Sequence, residues 1–466
     1  MGPHELGLLR RVVENLATRP LPVGHVTEDV LRAEGLARAR RTPDALIGVL
    51  QPGYDAFSEL CEKLISKSPK IERGTAYAKY QEELFGALLS DFLGRDRATV
   101  TMTDLVALEK RLIDWFSSIA AERTIFLPCM ISPWPSPRFS VGPVSFIHLD
   151  HVRTSEYYPA PGMERELPLT GFDNVLADMG KERAHWLGIV SVKDCDDDKA
   201  QEVGALAVDL AIVAFQLAAP NLGTKNMSRL ATRRGTPEKL NLTLSGGHYA
   251  GGWSRVEPGI SIGEGLLADI VGTMAHLVTA VGNCIRSYTE DSYRLPTLER
   301  AWCDGAYWLH QGLVEPLDTI AVAKLETAIE VLFRSGSSSR TRKLIQSAMD
   351  AVYGLKPNDP ITPTHRLTVR QFAEWVVTDR SCVLHGTQST LHARLGDTRL
   401  ALEHFAASLL RATAVGLDAY VKSTNATDDT EALLDWMKLH GEQLRTTAPG
   451  VDLDAWHRQL LASQPG

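Results

Sequence analysis

The chain has 466 residues, a formal net charge of −8 and six cysteines. That length allows two or three domains with cores of their own. The acidic balance excludes a protein coated in basic residues for nucleic acid. The cysteines are scattered without a CxxC pair, which argues against a zinc site or a disulfide framework and sets a reducing cytoplasm as the expected location. No signal-peptide h-region opens the chain. The most apolar run, around residues 206–220, is short for a bilayer span and contains Asp209, so it is expected to be a buried helix, with no membrane association.

In chain order, residues 1–122 are expected to be a helical region, interrupted at Pro20, Pro22 and Gly24 and again at Ser68-Pro69. Its clearest helix covers 103–121, where Thr103-Asp104 can cap a stripe of Leu105, Leu108, Leu112, Phe116 and Ile119. Residues 123–263 form an α+β region with an antiparallel sheet: aromatic and β-branched runs at 124–130, 139–148 and 185–192 predict strands. A long apolar helix follows near 199–219, and strands at 241–244 and 259–262 flank the turn-rich stretch 245–252. Residues 264–424 predict an all-α bundle, with helices over 266–285, from Pro316 through Leu332, and over 340–353, 368–385 and 398–423. Residues 425–466 are expected to be a helical extension. The fold class is therefore mixed, an N-terminal α+β region followed by a C-terminal helical bundle.

The chemistry concentrates at 368–386. Thr368 followed by Gln371 is a capping-box pattern, and Val369, Phe372, Val376 and Val383 make one apolar stripe. Arg380 falls on that stripe, where a guanidinium needs a partner. His385 and Gly386 follow at the predicted helix end. The same Arg-x4-His spacing recurs at Arg399 and His404, and almost recurs at Arg19 and His25. His404 is expected on a solvated face with Ser408 and Arg411, and the Arg19 stretch is a Pro/Gly-punctuated turn, so neither is expected to carry function.

The segment DRSCVLHG, two helices after LETAIEVLF, resembles the HEPN superfamily and, within it, ApeA-like HEPN domains. The resemblance covers roughly residues 300–423. It implies a HEPN-type bundle acting as a metal-independent endoribonuclease, with Arg380 and His385 as the catalytic pair. It also implies supporting roles for Glu330, ahead of Glu326, and for Ser381, which stands where many members carry Asn, Asp or another polar residue. Histidine is poised near neutral pH to take a 2′-hydroxyl proton, and the arginine fork suits a phosphate gathering charge. No cofactor and no metal are called for. The implied partners are an RNA substrate, a second copy in a homodimer or higher oligomer, and a phage-derived trigger or inhibitory protein, with a large N-terminal part that senses or restrains. The alternative is a non-catalytic dimerisation or scaffold module coupled to an N-terminal ligand- or partner-binding region.

Arg334, Arg340, Arg342 and Lys343 bracket a Ser/Gly loop and are candidates for RNA phosphates, although a basic helix start is equally expected to be simply solvated. The run Asp194-Cys195-Asp196-Asp197-Asp198 is expected to be a helix N-terminus rather than a cation site. The glycines near His248 match a hairpin turn.

Overall fold

The computed structural model describes residues 2–21, 27–158, 171–232, 238–255, 259–260, 263–361, 367–384, 389 and 395–440. Two compact units emerge, Met1–Arg123 with Val192–Glu202, and Thr124–Ser191 with Val203–Gly466.

In the first unit the order is α1 (Pro3–Glu14), β1 (Leu16–Pro20), α2 (Glu28–Ala33), β2 (Leu36–Arg41), β3 (Ala45–Leu50), α3 (Gln51–Ile65), α4 (Pro69–Gly74), α5 (Tyr77–Phe92) and α6 (Met102–Ile119). Helix α6 starts one residue earlier than the sequence indicated, because the cap is Thr101 rather than Thr103 and its amide donates to Asp104 Oδ2 at 2.8 Å. Leu8 and Val12 of α1, Phe57 and Leu60 of α3, Phe85 and Leu88 of α5, and Leu105 and Leu108 of α6 share one core. The three-stranded antiparallel sheet β1-β3-β2 was not anticipated in this helical region. Strand β2 reads Leu-Ala-Arg-Ala-Arg-Arg, all good helix formers, and pairing overrides that propensity. Two details hold it in place. Gly48 of β3 lets the Arg38 carbonyl come within 2.3 Å of where a Cβ would stand, and Arg38 and Arg40 both bond Glu82 of α5, at 2.8 and 2.6 Å.

The second unit contains most of β4 (Ala121–Met130), then β5 (Phe139–Val141), β6 (Val144–His148), α7 (Leu149–Val152), α8 (Phe172–Lys181), β7 (Trp186–Cys195), α9 (Asp197–Ala218) and β8 (Ser228–Arg229). These strands form a sheet in the order β5-β6-β7-β4-β8. The predicted strand 139–148 is a hairpin of two strands, turned at Gly142 with φ of 59°. Beyond it, β9 (Glu238–Ser245) and β10 (His248–Arg255) make a separate two-stranded sheet. The turn there is only Gly246-Gly247, both with positive φ, so most of the stretch expected to be loop is strand. Gly259 and Ile260 are not in a strand.

Helices fill the rest: α10 (Leu266–Thr273), α11 (Ala275–Glu290), α12 (Pro296–Gly312), α13 (Asp318–Phe333), α14 (Ser338–Tyr353), α15 (Val369–Leu384), α16 (Gly396–Tyr420) and α17 (Thr430–Leu439). The single helix expected over 266–285 is two helices, bent by 84° at Met274. The fold is thus mixed, with small antiparallel sheets and a helical C-terminal half.

The acidic run does open a helix, but it is not simply solvated. Asp196 is 1 % exposed. It accepts from Thr75 Oγ1 at 2.6 Å and from the Lys199 amide at 2.8 Å, with Lys79 Nζ at 3.2 Å. Burial alone would push its carboxyl up, yet these partners hold it below the ordinary value. Asp196→Ala removes a helix cap and the buried acceptor of Thr75 and of a partly exposed Lys79, so the expected loss is on the order of 2 kcal/mol in a denaturant melt. With a depressed pKa, this contribution is present above the unfolded carboxylate range and disappears as pH falls through the folded value. The gap between wild type and variant should therefore close in acid.

Candidate functional site

The site proposed from sequence lies on α15, and its start is built as the sequence pattern requires. The Thr368 amide donates to Gln371 Oε1 at 2.9 Å and the Gln371 amide to Thr368 Oγ1 at 3.3 Å, a reciprocal cap. Val369, Phe372 and Val376 are fully buried, and Phe372 meets Phe405 of α16 edge-on at 5.0 Å. The backbone stays helical through Arg380 and Ser381 to Leu384. The side chains of Arg380 and Ser381, and all of His385, lie outside the described residues.

Helix α15 packs against α13 and α14. In turn α13 lies very close to α12. A Cβ at Gly305 would sit 3.0 Å from the Ala328 carbonyl, and one at Gly312 would sit 2.9 Å from Leu325, so both positions call for glycine. The two candidate carboxylates on α13 have different surroundings. Glu326 is fully buried. Glu330, one turn on and half-buried, accepts from Thr341 Oγ1 at 3.4 Å, and Thr341 also bonds Ser335 at 2.7 Å. Arg334 ends α13 in the left-handed conformation, with φ of 50°. Glu330, Arg334 and Ser335 line a recess of about 780 Å³ together with Thr297, Arg300 and Asp304 of α12.

The basic residues of α14 do not gather into that recess. Arg340 and Lys343 are exposed and reach Glu431 of α17 at 3.9 and 3.7 Å, while Arg342 is half-buried. Ser337 caps the helix through the Arg340 amide at 3.4 Å.

The expected solvated face of α16 requires correction. Arg399 is 16 % exposed and bonds Glu403 at 2.8 Å, Asp318 at 3.0 Å and the Leu313 carbonyl at 3.2 Å. Arg411 is 6 % exposed. His404 is half-buried, and burial depresses its imidazole, with Lys225 adding to the effect and Glu403 opposing it. The cause is that α16 packs on α11, α12, α13, α14 and α17 at once, so it has little free face.

Sequence reasoning missed a second buried polar cluster. Asp209 of α9, 1 % exposed, takes two bonds from Arg229 at 2.8 and 2.7 Å, and His310 Nε2 stands 3.7 Å from its Oδ1. His310 Nδ1 meets Gln216 at 3.1 Å. Only Asp209 within an apolar run could have signalled it. Asp209, Gln216 and His310 are buried and Arg229 is 12 % exposed, which suits a structural role. Helices α9 and α16 are each long and apolar enough to cross a membrane, but 78 % and 61 % of their apolar windows are buried within the protein. Among the described residues no group of three His, Cys, Asp or Glu is placed to hold a metal. Burial pushes the Cys61 and Cys129 thiols up to about 12, which suits inert core thiols.

Two outcomes are expected. Arg399→Ala should cost roughly 2–3 kcal/mol in a thermal or urea melt, between the values for exposed and buried pairs, rather than the near-neutral effect of a solvated residue. A depressed histidine favours the folded state above the unfolded pKa, and that stability is lost as pH falls through the folded value. Melting temperature should therefore decline below about pH 6.5, and His404→Gln should flatten part of that decline. Searches of protein-family models, of curated proteins and of solved structures found no match to this chain.

Proposed function

We propose that the protein is a metal-independent endoribonuclease of the HEPN type, an antiphage-defence or toxin-type effector whose N-terminal unit senses a trigger or restrains activity. The observation that carries this reading is the placement of α15, whose last turns bear Arg380, against α13, where Glu326 is fully buried. A carboxylate in that position needs a cationic or hydrogen-bonding partner. We assign the acidic supporting role to Glu326 at least as readily as to Glu330, whose carboxylate belongs to the Thr341 loop.

The chemistry follows from the two proposed groups. His385 takes the proton from a ribose 2′-hydroxyl, the 2′-oxygen attacks the adjacent phosphorus, and the 5′-oxygen leaves with a proton. The products are a 2′,3′-cyclic phosphate and a 5′-hydroxyl. Arg380 donates to the non-bridging oxygens as their charge grows. Ser381 stands beside it on the helix. Arg340, Arg342 and Lys343 would meet more distant phosphates only by giving up Glu431 or by binding at the surface. A second reading, a non-catalytic scaffold or ligand-binding module, is favoured by the recess lined by Arg300 and Arg334 together with Asp304 and Glu330, which needs no reaction to bind a polar ligand.

The deciding experiment incubates purified protein with total RNA in the presence and absence of EDTA. Cleavage that survives EDTA and leaves 2′,3′-cyclic ends is expected, and His385→Ala should lower it by at least about 10²-fold while melting like wild type. A folded His385→Ala protein that cuts at the wild-type rate would remove the assignment.

A further inference from the structure

The hairpin β9–β10 shows an amphipathic pattern and, among the described residues, nothing covers its apolar side. Every residue from Asn241 to Trp253 is exposed. The register pairs Leu242 with Gly251, Leu244 with Tyr249 and Leu240 with Trp253, so these positions share one face. Asn241, Thr243 and Ser245, with His248, Ala250 and Gly252, share the other. On the first face Leu242 is 70 % exposed, Leu244 59 %, Tyr249 73 % and Trp253 63 %. Such alternation is the signature of a strand pair with one covered face. A lone two-stranded hairpin is at best marginal in water without such cover.

We propose that this face is a self-association surface, covered by the same hairpin of a second copy of the chain packed face to face. Three observations favour that occupant. Residues 241–253, NLTLSGGHYAGGW, contain no Asp, Glu, Lys or Arg. The same register pairs Glu238 with Arg255 at the open end of the hairpin, one acid against one base, so the face offers an acidic or basic partner or an anionic lipid surface no net charge, and its own copy none to repel. Within 241–253 there is also no proline or lysine of the kind natural proteins place on strands to block self-pairing, and the one lysine of β9, Lys239, stands at the open end of the hairpin. Finally, the area suffices. With about 150–250 Å² for each aromatic side chain and the two leucines added, the exposed face is on the order of 500 Å². Two copies would remove roughly 1,000 Å², the lower limit of a specific interface. The pairing is isologous, so Trp253 and Tyr249 of each copy act as anchors for the other.

The test is sedimentation equilibrium of the full chain over a concentration series, for wild type, Leu242→Ser/Trp253→Ser and Tyr249→Lys. These side chains are exposed in the single chain, so the variants should melt as wild type does. The single Tyr249→Lys change serves if the double variant does not fold. The expected result is loss of one association step, dimer to monomer, with self-association weakened by at least about tenfold. If the nuclease bundle also pairs, the same step is tetramer to dimer, and cleavage by the variants tells the two contacts apart. Equal masses for wild type and both variants at every concentration would overturn the proposal, as would a wild type that is monomeric throughout. Hairpin-dependent flotation of a monomeric wild type with phosphatidylcholine vesicles would also overturn it and assign the face to lipid.

Discussion

The helical half of the protein depends on burying α16 on nearly every side. Leu402, Phe405, Ala406, Leu409, Leu410, Ala414 and Leu417 are buried around its circumference, and it touches five other helices. A helix in that position cannot leave its charged residues to water, so each must be answered nearby. Arg399 is met by Glu403 on its own helix and by Asp318 at the start of α13. The ion pair thereby fixes where α13 begins. Trp302 contributes the same kind of constraint from α12, its indole N–H donating to the Leu410 carbonyl at 3.0 Å. The glycines at 305 and 312 then allow α12 and α13 to close up. The position of α15 follows, since it rests on α13 and inserts Phe372 against Phe405.

How much of this was legible depends on whether the signal was local. The cap at Thr368 and Gln371 and the stripe of Val369, Phe372 and Val376 are local, and the structure bears them out. The stop at Gly354, in the left-handed conformation at the end of α14, is local too. The face of α16 was misread because its Arg, Glu and His residues look solvated when only one helix is considered. Their burial comes from neighbours distant in sequence. The break at Met274 has no proline at its corner, and Gly272, two residues before it, lies inside what the sequence pattern predicts as one continuous helix. Strand β2 carries a helix-forming composition, and only its pairing with β3 makes it a strand. The Ser-Gly-Gly turn was legible as a hairpin, but its strand lengths were not, because glycines at 251 and 252 continue the ladder instead of ending it.

The proposed site rests on a different kind of signal, a charge at Arg380 on an apolar stripe and an imidazole at His385 near a predicted helix end, and the described residues include neither side chain. What the structure adds is a difference between two carboxylates that spacing alone did not provide. Glu326 and Glu330 lie one turn apart on α13, about 6 Å along the axis. Over that distance the surroundings change from closed core to a loop held by Thr341 and Ser335. Glu326 therefore has to be neutralised or bonded for the bundle to fold, whereas Glu330 has water and a hydroxyl within reach.

That difference sets how each carboxylate is held. A buried carboxylate packed within the bundle is fixed in place. A carboxylate at a loop can move with that loop, and Arg334, in the left-handed conformation beside it, shows how sharply the chain turns there. Glu326 thus belongs to the closed core, and Glu330 to the loop that leads into α14. The basic residues of α14 lie outside the recess. Their helix starts only after the loop has turned away, and Glu431 of α17 holds Arg340 and Lys343 on the outer surface.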